Sequence, residues 1–160
     1  MAKTLNDILD VAIFEEINAQ KFYRIISEKV KNIHLQKFFL SLANEEYGHE
    51  WILRDMKDMK LFDGSVEIDE KSFERIEGAH IIDDAGPIEG MTIVRAMQIA
   101  MKREKKATEV YGHMAESAAH EEIMKLFIRL ATDEQRHFNL INQKYKIYKG
   151  RKGFDDSVTD

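Results

Sequence analysis

The sequence predicts an all-α fold: a four-helix bundle made of two repeated helical hairpins, with a long crossover between helices 2 and 3. Three observations lead to it. Apolar residues recur at alternating steps of three and four in four separate stretches, the period of a helix with one buried face. The single proline, Pro87, lies outside all four. Finally, the first pair of stretches returns 88 positions later without a gap, the mark of a duplicated helical unit.

Helix 1 is expected to start at Thr4, an N-cap with Asp7 in the first turn. Its inner stripe is Leu5, Leu9, Ala12, Glu16, Ala19, Tyr23, Ile26 and Val30. A break near Lys31-Asn32-Ile33 leads to helix 2, with the stripe Leu35, Phe39, Leu42, Glu46, His49, Leu53 and Met56, ending near Lys60. Residues 61–91 hold four of the eight glycines and Pro87. They read as the crossover, with a short helix around Glu70–Ile76. Thr92 caps helix 3, striped by Ile93, Met97, Ala100, Glu104, Ala107, Tyr111, Met114 and Ala118. Helix 4 begins near Ala119–Glu121, carries Ile123, Phe127, Leu130, Glu134, His137 and Ile141 inward, and runs to about Tyr148. The bundle thus occupies residues 1–149, and 150–160 form a loose polar tail.

Composition narrows the function. With 160 residues, 44% hydrophobic and 33% charged, the chain suits one soluble, mainly helical domain. A net charge of −5 gives no general attraction to nucleic acid or an anionic membrane. No apolar run approaches the ~20 residues of a membrane span. The N-terminus lacks a signal-peptide apolar core, so the expected compartment is the cytoplasm. There is no cysteine, which excludes disulfides, thiolate zinc sites, iron–sulfur centres and cysteine nucleophiles. Any metal must be held by Glu, Asp and His.

The chemistry lies in the repeat. Adding 88 takes Glu16 to Glu104, Tyr23 to Tyr111, Phe39 to Phe127, Glu46 to Glu134 and His49 to His137. Glu46-Tyr47-Gly48-His49 and Glu134-Gln135-Arg136-His137 each set a carboxylate and an imidazole at i and i+3, on one helix face. Glu77-Gly78-Ala79-His80 also matches that spacing, but it has no copy and is set aside. The four glutamates share their stripes with Leu, Ala, Phe and Met. Buried carboxylates are costly unless paired or coordinated, and the stripes offer no lysine or arginine at those levels. Two divalent cations answer four formal negative charges. Six ligands, Glu16, Glu46, His49, Glu104, Glu134 and His137, then serve two metals, and oxygen-rich ligation with one imidazole each suits iron or manganese.

Around these ligands several residues admit two readings. Tyr23 and Tyr111 are either core residues or buried phenols that donate to metal-bound glutamates. Glu45 and Asp133 are either exposed or accept the second N–H of a histidine from the opposite half, with Arg136 placed to balance Asp133. Gly48 and Gly112, inside helices, mark close packing or dispensable substitutions. His34, His113 and His120 fall off the stripes or at helix ends and take no role.

The pattern resembles the rubrerythrin branch of the ferritin-like di-iron carboxylate proteins. It is Glu16 to Tyr23, then Glu46-x-x-His49, and both again in helices 3 and 4. Asp133-Glu134-Gln135-Arg136-His137 is also similar to the Asp-Glu-x-Arg-His signature of di-iron oxygenases. The resemblance covers about residues 4–60 and 92–146. It implies a left-handed ferritin-like bundle, dimeric or larger, in which Glu46 and Glu134 bridge two irons. Glu16 and Glu104 would then be terminal carboxylates, and His49 and His137 would bind one metal each. Two departures stand out. Rubrerythrins carry a C-terminal rubredoxin domain with four cysteines, and these residues have none, so the resemblance implies either a separate electron-donor partner or one of the family's shorter, domain-less relatives. They also place a glutamate where this chain has Ala107, mirrored by Ala19, which removes the residue credited with that family's redox-linked ligand exchange.

The expected function is a non-haem di-iron oxidoreductase reducing hydrogen peroxide, or O2, in defence against oxidative stress, as a homodimer with no nucleic-acid or membrane partner. Iron is the expected metal, with manganese or a mixed pair as alternatives. The second expectation is iron oxidation for storage or detoxification, as in bacterioferritin. A third is a helical interaction module with a vestigial site.

Overall fold

Three of the four helices start on a side chain that answers their free N–H groups. In the computed structural model these helices are α1 (Leu5–Lys29), α2 (Ile33–Asp58), α3 (Ile93–Ser117) and α4 (Glu121–Lys149). The structure describes residues 3–59, 63, 71, 74, 88 and 90–151. Thr4 opens α1 with a capping box: the Asp7 N–H donates to Thr4 Oγ1 at 3.3 Å, and the Thr4 N–H donates to Asp7 Oδ2 at 2.7 Å. Asn32 Oδ1 accepts from the N–H groups of His34 and Leu35. Thr92 Oγ1 accepts from Arg95 at 3.0 Å. α4 starts at His120 without a side-chain cap, and Glu121 and Glu122 in its first turn offset the helix dipole instead.

The four helices confirm the expected order, with α2 ending at Asp58 and α4 at Lys149. The crossover at 61–91, its short helix around Glu70–Ile76, His80 and the tail beyond Arg151 lie outside the described residues, apart from the scattered positions named above. No helix among the described residues is long and apolar enough to cross a membrane.

Each helix sends its two halves into different apolar clusters. One cluster joins Tyr23, Ile26, Leu35, Phe39, Leu42, Met97 and Ile141. The other joins Leu9, Leu53, Met56, Tyr111, Phe127 and Leu130. The late half of α1 therefore meets the early half of α3, which sets the hairpins antiparallel in their first helices. Burying side chains of this size stabilises by roughly 1.5–3 kcal/mol each. The charged layer lies between the clusters, closed at both ends by hydrocarbon.

Every predicted stripe residue of α2 and α4 is buried. On α1 and α3 the match is looser: Leu5, Ala19, Ala107 and Ala118 are half-buried, while Ile8, Ile13 and Phe22 join the core. The cause is uneven packing between hairpins. α1 lies along α2, α3 along α4, and the hairpins meet most closely through α2 and α4. α1 and α3 stand farther apart, with a cavity between them.

Candidate metal centre

Six ionisable side chains from four helices meet in the layer between the clusters. Glu46 and His49 point inward from α2, one turn apart. Glu134 and His137 do the same from α4, while α1 supplies Glu16 and α3 supplies Glu104. All six are buried, with exposures from 0% to 4%.

The six form two overlapping groups. Glu16, Glu46, His49 and Glu134 bring one ligand atom each within 4.8 Å of the others, and so do Glu46, Glu104, Glu134 and His137. Glu46 and Glu134 belong to both. His49 Nδ1 lies 2.9 Å from Glu46 Oε2, 3.0 Å from Glu134 Oε1 and 3.8 Å from Glu16 Oε2. His137 Nδ1 lies 3.1 Å from Glu46 Oε1, 3.1 Å from Glu134 Oε2 and 3.6 Å from Glu104 Oε2. The imidazole rings are stacked at 5.6 Å between centroids. Every residue predicted as a ligand from the repeat is therefore brought to one place.

The outer nitrogens face carboxylates from the opposite hairpin. His49 Nε2 is 3.3 Å from Asp133 Oδ2, and His137 Nε2 is 3.0 Å from Glu45 Oε2. Such partners fix which ring nitrogen carries the proton and leave Nδ1 facing the cluster. Arg136 faces Asp133 on its own helix at 3.7 Å, as expected, and also makes a closer ion pair across the hairpins with Glu45. The hydroxyl of Tyr23 donates to Glu104 Oε1, and that of Tyr111 donates to Glu16 Oε1. Each phenol thus ties α1 to α3 through a cluster carboxylate. Gly48 and Gly112 are not required by close packing, because a Cβ at either would meet nothing within 4 Å. His34 and His120 are exposed, and His34, His113 and His120 lie outside both groups.

Two features escaped the sequence reading. Arg103 on α3 is largely buried beside the cluster, its guanidinium 5.1 Å from the Phe22 ring centroid. Its reversal of charge against Glu15, its copy at an offset of 88, was the available signal. The other is the cavity of about 60 Å³ between α1 and α3, lined by Glu15, Ala19, Arg103, Lys106, Ala107 and the cluster carboxylates.

Without metal, protons take up the excess charge. Burial, then the charges of Glu134 and Glu46, holds the Glu16 carboxyl well above the usual range. Burial, then Glu46 and Glu134, does the same to Glu104. For the imidazoles burial works downward, but hydrogen bonds and ion pairs with the clustered carboxylates outweigh it and hold His49 and His137 protonated. Glu134 is also pushed up by burial, yet its bonds to His137 and His49 bring it below the ordinary range. Raised groups bind protons in the folded chain that the unfolded chain has released. Their stabilisation is complete below the ordinary values, 4.5 for the glutamates and 6.5 for the histidines, and is lost as pH climbs toward the raised ones. The melting temperature of the metal-free protein is therefore expected to fall between about pH 6 and about pH 9. Calorimetry across that range checks it, and a rise would refute the assignment.

The donor set fits metal ions on a direct observation. Glu46 Oε2 is fully buried and has no hydrogen-bond partner, though it lies 2.9 Å from His49 Nδ1. A carboxylate oxygen with an unused lone pair, among three more carboxylates and two imidazoles, is suited to a cation.

Comparison with known proteins agrees. A solved hypothetical protein from Pyrococcus furiosus is 25% identical, with 89% of each chain covered and a TM-score of 0.67. A provisionally assigned ferritin-like diiron-carboxylate protein from Thermotoga maritima is 23% identical, over 91% of this chain and 97% of that one, with a TM-score of 0.72. The second likeness supports a ferritin-like four-helix fold. No curated protein matches significantly. The family model described as Rubrerythrin matches residues 7–145, starting inside α1 and ending inside α4. That span takes in every residue of the cluster, and the chain belongs to the rubrerythrin family.

Proposed function

We propose that the protein is a non-haem di-iron oxidoreductase that reduces hydrogen peroxide, with O2 as the alternative oxidant. The observation that carries this is the pair of overlapping buried groups sharing Glu46 and Glu134. In this reading Glu46 and Glu134 would be shared by two ions, with Glu16 and His49 available to one and Glu104 and His137 to the other. Two iron(II) ions held there would supply one electron each and become iron(III), which with two protons from solvent suffices to reduce one hydrogen peroxide to two waters without releasing a radical.

The chain's own residues do the rest. Asp133 and Glu45 hold the outer nitrogens of His49 and His137, so the rings keep their orientation. Tyr23 and Tyr111 hold the terminal carboxylates by their hydroxyls. The cavity between α1 and α3 gives a small oxidant room beside Glu16, Glu46 and Glu104, and the alanines at 19 and 107 keep that wall low. Electrons reach the centre from a donor outside these 160 residues, which contain no cysteine for a rubredoxin-type iron site.

Anaerobic loading with iron(II), followed by peroxide titration, tests the reading. Rapid oxidation is expected, complete at about one peroxide per centre, the amount two one-electron donors can reduce. Absence of that rapid step sinks the peroxidase assignment.

One observation favours a second reading, iron oxidation for storage or detoxification. With alanine at both 19 and 107, the cluster keeps the same three ligand types in each half. Assembly separates the two: a hollow shell of many subunits supports storage, and a homodimer supports the peroxidase.

A further inference from the structure

The repeat makes the two halves of the centre near copies, and around them the largest differences are in charge. Position 15 is glutamate, and its copy at 103 is arginine; each immediately precedes a cluster carboxylate. Both line the cavity between α1 and α3. Asn18 has Lys106 as its copy, and Lys106 lines the same cavity. Gly48 has Arg136 as its copy, but Arg136 faces both Glu45, the outer acceptor of His137, and Asp133, the outer acceptor of His49, and so bears on both halves. Arg103 and Lys106 therefore set positive charge around the Glu104–His137 half, while the corresponding places around the Glu16–His49 half are acidic or neutral.

Arg103 is the strongest of these groups. Its Nη1 and Nη2 are buried and make no hydrogen bond. It interacts electrostatically with Tyr23, Glu15, Glu104 and Glu46. Arg103 directly precedes Glu104 and stacks on Phe22, next to Tyr23, whose hydroxyl donates to Glu104, while Glu46 serves both halves, so its field weighs more on the Glu104–His137 half. A guanidinium withdrawn from water is screened less than a surface charge and repels a divalent ion at twice the strength of a single charge.

Resting on the di-iron reading above, we propose that the centre fills in a fixed order. The Glu16–His49 half takes the first ion and holds it more tightly, because Arg103 disfavours a cation in the Glu104–His137 half. The difference is on the order of tenfold in Kd. Arg103 is thus a positioning residue for metal loading, acting through charge without being a ligand.

Repulsion between two neighbouring ions separates the binding steps even in a symmetric centre, so the test compares single halves. Glu104→Gln leaves the Glu16–Glu46–His49–Glu134 group whole, and Glu16→Gln leaves the Glu46–Glu104–Glu134–His137 group whole. Each metal-free variant is titrated anaerobically with iron(II) by calorimetry at one pH. The Glu104→Gln protein is expected to bind one ion on the order of tenfold more tightly than the Glu16→Gln protein. Adding Arg103→Gln to Glu16→Gln narrows the gap. Equal affinities, the opposite order, or a gap indifferent to Arg103→Gln overturns the proposal.

A second measurement keeps every ligand and so does not depend on those variants folding. In Arg103→Gln alone, the second binding step tightens and the first stays where it was. A change confined to the first step overturns the proposal. If the unaltered protein takes up no iron, the di-iron reading falls and the order with it. If it takes up two ions and the halves bind equally, only the order falls.

Discussion

The Glu46→Ala protein is expected to retain almost no iron, where on the di-iron reading the unaltered chain should hold two ions. Glu46 belongs to both ligand groups, so its loss takes a donor from each position at once. Binding stabilises a fold by mass action, by about 4 kcal/mol for each ion when free metal is about a thousandfold above Kd. Two ions then contribute about 8 kcal/mol, and at roughly 2–4 °C per kcal/mol for a chain of this size, iron raises the melting temperature by on the order of 15–30 °C. Glu46→Ala should lose nearly all of that increment. In the metal-free protein the same change also removes one of four crowded carboxylates, which offsets part of the cavity it leaves, and melting moves by only a few degrees. Metal analysis and calorimetry with and without iron provide the check. If neither protein binds metal and their melting is the same, the cluster is vestigial and the helices serve as an interaction module.

Phe127→Ala should have the second largest effect, on the fold itself. Phe127 is 1% exposed and stacks on Tyr111 with ring centroids 6.4 Å apart. Truncating a buried phenylalanine to alanine costs about 3–5 kcal/mol, which lowers the melting temperature by on the order of 10 °C. The copy at Phe39 packs the same way against Tyr23, at 6.1 Å. In each half an apolar wall holds the phenol that donates to a cluster carboxylate. Phe127→Leu keeps most of the volume and is expected to recover more than half of the loss, as volume-conserving core changes do. Thermal melts of the two variants in metal-free form measure this, and equal losses would show that packing around Tyr111 is not volume-limited.

Much of the site was legible because charged residues stood where burial is costly. Glu16, Glu46, Glu104 and Glu134 interrupt stripes that are otherwise Leu, Phe, Ala and Met, and helical periodicity alone places those stripes inward. The repeat then excluded His80 and joined two weak Glu-x-x-His matches into one site. Arg103 was missed because it lies at the edge of the α3 stripe, and its burial depends on the spacing between α1 and α3. Periodicity within one helix carries no information about that spacing. The same limit applies to Arg136: sequence spacing offered Asp133, which it does face, but not Glu45, which only the bundle brings within reach of a long, flexible side chain. The ends of α2 and α4 differed by a residue or two from expectation, as fraying helix termini do.

The two-cluster core has an evolutionary consequence. Neither hairpin owns a cluster, and neither holds a complete ligand group, because Glu46 and Glu134 each serve both. The outer acceptor of each histidine also comes from the other hairpin. A single hairpin of this kind has its carboxylates exposed and its apolar stripes unpaired, and it becomes a protein only on meeting a second copy. The chain reads as such a pairing joined end to end, with the former symmetry axis running through the space between the two imidazoles. While the halves were separate, any change in one appeared in both, and a charge beside one ion was a charge beside the other. Joining them let Glu15 and Arg103 part company.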